Sequence, residues 1–171
     1  MRFVWVSTHF LYDNPNPPKS NPEDFELFGA EASRFLHKRG NTVLEYITLP
    51  NNTLPPLGPF PHAVKAGDFL FVTGQLAENP ETGKLIPGSI EEQVKRVMDN
   101  LKLVLEHAGT SFNQVVMARV FITDLRYLET VNKVYSSYFA GDRLPSRTTI
   151  GVVGLAGLGD VEIDLIVYCG S

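Results

Sequence analysis

The sequence predicts an α+β two-layer domain, one mixed β-sheet covered on one face by two α-helices. Three observations carry this expectation. Two long amphipathic stripes, beginning near Ile90 and Leu128, repeat at helical spacing. Segments rich in β-branched and aromatic residues lie before, between and after them. Each helix offers a single apolar face, and two one-sided helices on one sheet bury both stripes economically. The other sheet face is too rich in Leu, Val and Ile to lie wholly in water, so an oligomer is expected.

Taken in order, the chain opens with a proline-rich arm. Nine of the twelve prolines fall within the first 61 residues, at 15, 17, 18, 22, 50, 55, 56, 59 and 61. Residues 1–41 therefore read as an N-terminal extension and residues 42–171 as the main domain. Within the arm, Phe3-Val-Trp-Val6 suggests a short strand. Asn21-Pro22 is a helix start, Phe25, Phe28, Ala32, Phe35 and Leu36 form a helical stripe, and Gly40 is its stop.

The body begins with a strand at Val43–Leu49. Ala63–Ala66, the Gly67-Asp68 turn and Phe69–Thr73 read as a hairpin, and Asn79-Pro-Glu-Thr-Gly83 reads as a turn leading to Lys84-Leu-Ile86. Ser89-Ile-Glu-Glu92 is a capping box. The helix it starts carries Ile90, Val94, Val97, Met98, Leu101, Val104 and Leu105 on one face and stops at Gly109. Gln114–Thr123 is a strand. Asp124 caps a second helix with the stripe Leu128, Val131, Tyr135, Tyr138 and Phe139, ending near Gly141. Strands at Leu144–Ile150 and Val161–Val167 close the domain. In the last, Val161, Ile163, Leu165 and Val167 share the face expected to meet the helices, and Glu162 and Asp164 share the other.

Composition excludes several functions. The net charge is −4, with no basic stripe interleaved with aromatics, so no nucleic-acid partner is expected. No apolar run is long enough to span a bilayer and no secretory signal is evident, so a cytoplasmic location is expected. The single cysteine, Cys169, fits a reducing compartment and is no nucleophile candidate, having no histidine beside it. His9, His37, His62 and His107 are too scattered for a metal set, so no metal is expected. Gly151–Gly159 is glycine-rich, but a strand follows where a dinucleotide fingerprint requires a helix.

Two ions remain conspicuous. Arg147 lies in Leu144-Pro-Ser-Arg-Thr-Thr-Ile150 and Glu162 in Val161-Glu-Ile-Asp164, each on a half-buried strand. An arginine there can grip a carboxylate with two parallel hydrogen bonds, and a glutamate on a neighbouring strand can polarise a water. Periodicity alone reads Glu162 and Asp164 first as a solvated face, and Arg147 as their salt-bridge partner.

An ordered set of motifs changes the balance. Gly58-Pro-Phe-Pro-His-Ala-Val64, Phe71-Val-Thr-Gly-Gln75, Asn79-Pro-Glu-Thr-Gly83, Asn100-Leu-Lys102, Val120-Phe-Ile-Thr-Asp-Leu125, Val131-Asn-Lys-Val-Tyr135, Pro145-Ser-Arg-Thr148 and Val161-Glu-Ile-Asp164 occur in one order from about residue 42 to the C-terminus. In this the chain resembles the reactive intermediate/imine deaminase (RidA, YjgF-like) family. The resemblance implies a chorismate-mutase-like fold assembled as a homotrimer with clefts between subunits. It implies cofactor-free hydrolysis of enamines and imines of the 2-aminoacrylate type to 2-keto acids and ammonia. Arg147 would hold the substrate carboxylate and Glu162 would position water. Gly74, Asn132 and Thr149 match cleft positions, Thr149 standing where many members have cysteine. Phe60 and His62 replace the usual tyrosine and glutamine, which makes them candidates for setting the substrate. Some of these features also resemble 2-aminomuconate deaminases, which implies a role in aromatic degradation as an alternative. A non-catalytic protein binding a small carboxylate or a partner is a further alternative on the same fold.

Overall fold

A computed structural model describes residues 34–39, 42–50, 53–86, 88–141 and 143–170; for 34–39, 42 and 43 it describes the backbone alone. The expected strand at Phe3–Val6 and the start of the arm's helix lie outside the described residues. Seven strands form one sheet: β1 (Arg34–Arg39), β2 (Thr42–Ile47), β3 (Ala63–Ala66), β4 (Phe69–Gln75), β5 (Val115–Ile122), β6 (Ser146–Gly151) and β7 (Val161–Tyr168). Their spatial order is β1-β2-β3-β4-β7-β5-β6. All pairs are antiparallel except β5–β6, so the sheet is mixed.

β1 corrects the reading of the arm. Residues 34–39, expected as the last turns of a helix, instead pair with β2 from Arg34↔Ile47 to Arg39↔Thr42. The Gly40 expected as the helix stop lies outside the described residues. Backbone pairing with an existing strand outweighs the weak helical preference of so short a stripe.

α1 (Ile90–His107) begins as its sequence dictates. The Ser89 hydroxyl accepts from the Glu92 amide while the Glu92 carboxylate accepts from the Ser89 amide at 2.7 Å. Asp124 does cap, but what it caps is a 3₁₀ turn (Leu125–Tyr127) that runs into α2 (Leu128–Ser136). Tyr138 and Phe139 thus lie beyond the helix, where Phe112, Tyr138, Phe139 and Tyr135 pack as a chain of rings. α1 lies over β4 and β7, and α2 packs beside α1.

The core sits between this helix layer and one sheet face. Val94, Val97, Met98, Leu101 and Val104 are fully buried against Ala118, Val120, Ile163 and Leu165. Each large aliphatic side chain removed from water there contributes on the order of 2 kcal/mol. The alternation expected in β7 holds: Val161, Ile163, Leu165 and Val167 are buried on the helix side. Among the described residues no element covers the opposite face, and Phe69, Phe71, Ile150 and Tyr168 stand on it, each between 41% and 47% exposed.

Candidate active site

Arg147 and Glu162 do not lie on adjacent strands, because β5 runs between β6 and β7. This corrects the expectation of neighbouring strands. Arg147 is in register with Ala118, which is in register with Leu165 on the helix side. Glu162 is in register with Phe121, which faces Ile150 on the open side. Residues paired in register point to the same face of a sheet. The two ions therefore occupy opposite faces of one chain.

On the helix side, Arg147 is held by α2. Its Nη2 donates to Asn132 Oδ1 at 2.6 Å, and its guanidinium carbon lies 5.0 Å from the centre of the Tyr135 ring. Asn132 and Tyr135 are three residues apart on the helix and so present one face. The cation is oriented by an amide and a π-face, neither of which neutralises it. Asn132, Tyr135, Leu144, Pro145 and Arg147 line a cleft of about 590 Å3. The Tyr135 hydroxyl is buried without a hydrogen-bond partner, and burial pushes it up to about 12 despite the nearby Arg147 charge. Thr149, two residues along β6 on the same face, also buries an unpartnered hydroxyl.

The open side is organised around Glu162. Gly74 lies so close beneath it that a Cβ there would stand 2.0 Å from Glu162 Oε1. Glycine at this position is explained by that approach. Burial holds the Glu162 carboxyl above the usual carboxylate range, and the Asp164 charge adds to the effect. Asp164 itself is clamped by Arg119, with Nη2–Oδ2 at 2.8 Å and Nε donating to Oδ1 at 2.9 Å. Asp164 is thus engaged structurally, and among the described residues Glu162 has no ion-pair partner.

Sequence reasoning missed Glu78. Its side chain is 5% exposed, and burial, followed by the Glu162 charge, raises it to about 7. The segment carrying it is pinned by Asn100, whose Nδ2 donates to the Leu76 and Glu78 carbonyls. A glutamate between a strand and an Asn-Pro turn has no sequence signal for burial.

The remaining candidates separate. Phe60 is 48% exposed in the turn before β3. His62 is 4% exposed, and its Nδ1 accepts from the Leu49 amide at 3.1 Å. Burial holds its pKa below the usual imidazole value, so the ring is neutral and fastens the segment after β2 to β3. Among the described residues no group of His, Cys, Asp and Glu is placed to hold a metal, and no helix is long and apolar enough to cross a membrane.

Comparison with known proteins accords with these features. Residues 50–169 match the family profile described as Endoribonuclease L-PSP. A RutC family protein of Pyrococcus abyssi is 43% identical over 113 residues, covering 66% of this chain and 88% of its own. A 2-iminobutanoate/2-iminopropanoate deaminase of Mus musculus is 36% identical over 114 residues, covering 67% of this chain and 84% of its own. The crystal structure of RidA from an Antarctic Psychrobacter superposes with a TM-score of 0.66 at 33% identity, over 71% of this chain and 97% of that one. With its profile matched from residue 50 to residue 169 and its mixed sheet and two helices shared with those structures, the chain belongs to the endoribonuclease L-PSP, or RidA/YjgF-like, family.

Proposed function

We propose that this protein hydrolyses small 2-imino and 2-enamino acids of the 2-aminoacrylate type to 2-keto acids and ammonia. The observation that carries this reading is the state of Arg147. It is rigidly presented in a cleft by Asn132 and Tyr135 and has no carboxylate partner among the described residues, so its charge is available to a ligand acid. The deaminase name of the mouse relative supports the same reaction class.

The reaction needs little from the protein. The enamine tautomerises to an imine, and water adds to the C=N carbon. Glu162 accepts the water proton and returns it to nitrogen. The carbinolamine then collapses to C=O as ammonia leaves. Its elevated pKa suits Glu162 to this exchange better than an ordinary carboxylate.

The placement of Arg147 and Glu162 on opposite faces supports a site completed by a second copy. The exposed Phe69, Phe71, Ile150 and Tyr168 on the same sheet face as Glu162 favour such an assembly. A homotrimer, with Arg147 of one copy meeting Glu162 of the next, is the arrangement we propose, and it forms clefts between subunits. The profile's endoribonuclease name suggests RNA as a rival substrate. The half-buried Glu162, the buried Glu78 and the net charge of −4 favour the small acid.

The test is ammonia and keto-acid release from 2-aminoacrylate generated in situ. Wild type should accelerate it and Arg147→Ala should lose most of that acceleration. A folded wild type without effect on any imine would refute the proposal.

A further inference from the structure

The Arg147 cleft contains a second cation that the reaction above does not use. Lys133 stands next to Asn132 on α2 and lines the same cleft of about 590 Å3. No carboxylate lines that cleft among the described residues. Glu129, one turn earlier on α2, forms no ion pair with Lys133. On its other side Lys133 borders a second depression with Glu91 and Lys95, and it makes no ion pair there either. Neither Lys133 nor Arg147 therefore has a carboxylate partner among the described residues.

Two unpaired cations beside one cleft repel each other, and that repulsion is relieved by a ligand with two negative charges. The remaining groups suit such a ligand. Leu144 and Pro145 give an apolar wall for a short carbon chain, and the Tyr135 hydroxyl is a buried donor without a partner. A three-carbon imino acid would occupy a small part of this space and leave Lys133 without a contact.

Resting on the deaminase reading, we propose that Lys133 makes the cleft selective for 2-imino and 2-enamino dicarboxylates, the imines of acidic amino acids. The 2-carboxylate pairs with Arg147 and the distal carboxylate with Lys133. The chemistry is unchanged: water adds across C=N, its oxygen becomes the keto oxygen, and nitrogen leaves as ammonia. Lys133 takes no part in bond making; it contributes binding energy along the substrate's length.

The test compares imines formed in situ by amino acid oxidases acting on alanine, aspartate and glutamate, with ammonia release as the readout. Wild type is expected to favour the imines of aspartate or glutamate over 2-iminopropanoate by at least tenfold in kcat/KM. Lys133→Ala should reduce that preference at least fivefold, through KM rather than kcat, and Lys133→Arg should restore most of it. As a binding measurement independent of turnover, 2-oxoglutarate should inhibit wild type more strongly than pyruvate, and Lys133→Ala should abolish the difference. A wild type that hydrolyses 2-iminopropanoate but shows no preference for the acidic imines overturns this inference and leaves the deaminase reading intact. The same holds for a preference that survives Lys133→Ala in a folded variant. A wild type that accelerates none of the imines overturns both.

Discussion

Arg147 and Glu162 lie on opposite faces of a single sheet, separated by the intervening strand β5. On the proposed reading, Arg147 is the anchor on the helix side and Glu162 the base on the open side, and a complete site draws them from two copies. Complementation tests this directly. Arg147→Ala and Glu162→Gln should each be inactive alone. Unfolded together in equal amounts and refolded, they should regain roughly a quarter of wild-type activity, since that fraction of interfaces joins two intact residues in a random cyclic assembly. No recovery from a mixture shown to co-assemble would place both residues' work within one chain.

Gly74 tests the placement of the base. A Cβ there would meet Glu162 Oε1, the far end of a flexible side chain, so Gly74→Ala should displace the carboxylate at little cost to the fold. We expect a melting temperature within a few degrees of wild type and a loss of kcat on the order of 100-fold, as for a misplaced catalytic group. Thermal melts and steady-state kinetics on one preparation would check both halves.

Asp164 sets part of the pH profile. Glu162 must be ionised to act as a base, and burial followed by the Asp164 charge raises its pKa. Activity should therefore fall as pH drops from neutrality, with the acid limb of kcat/KM above the ordinary carboxylate range. Asp164→Asn removes the second cause and should move that limb to lower pH. A limb that stays in place would mean that burial alone governs Glu162.

Glu78 predicts a stability effect of defined sign. Its folded pKa of about 7 lies above the ordinary glutamate value of 4.5, so the native state holds its proton more tightly than the unfolded chain. The associated stabilisation is fully present below pH 4.5 and is lost as pH rises through 7. Relative to wild type, Glu78→Gln should gain about 2 kcal/mol between pH 5 and pH 8, after allowing for solvent screening. Urea unfolding at the two pH values measures it, and an equal difference at both would contradict the burial of the charged form.

How much of this was legible in the sequence depends on whether the signal was local. The capping box at Ser89 and Glu92, the alternation of β7 and the apolar stripe of α1 involve residues a few positions apart, and each forms as read. The pairing of residues 34–39 with β2 is a tertiary choice that overrode a helical stripe. Strand order was likewise hidden, because nothing in Arg147 or Glu162 records that β5 comes between them. Of the site residues, Gly74 and Asn132 were carried by motif resemblance, and the structure supplies a physical reason for each. His62 stood out as polar within a loop, yet its ring is consumed by the Leu49 amide. Lys133 and Glu78 were invisible for opposite reasons: a lysine on a helix reads as solvated surface, and burial of a turn glutamate is decided by neighbours far along the chain.

The open sheet face carries a last consequence. If Phe69, Phe71, Ile150 and Tyr168 are covered only by other copies, catalysis and association share one equilibrium. Dilution would then halve and finally extinguish the rate per chain without any inhibitor. An assay run at nanomolar protein would report on self-association before it reported on the imine.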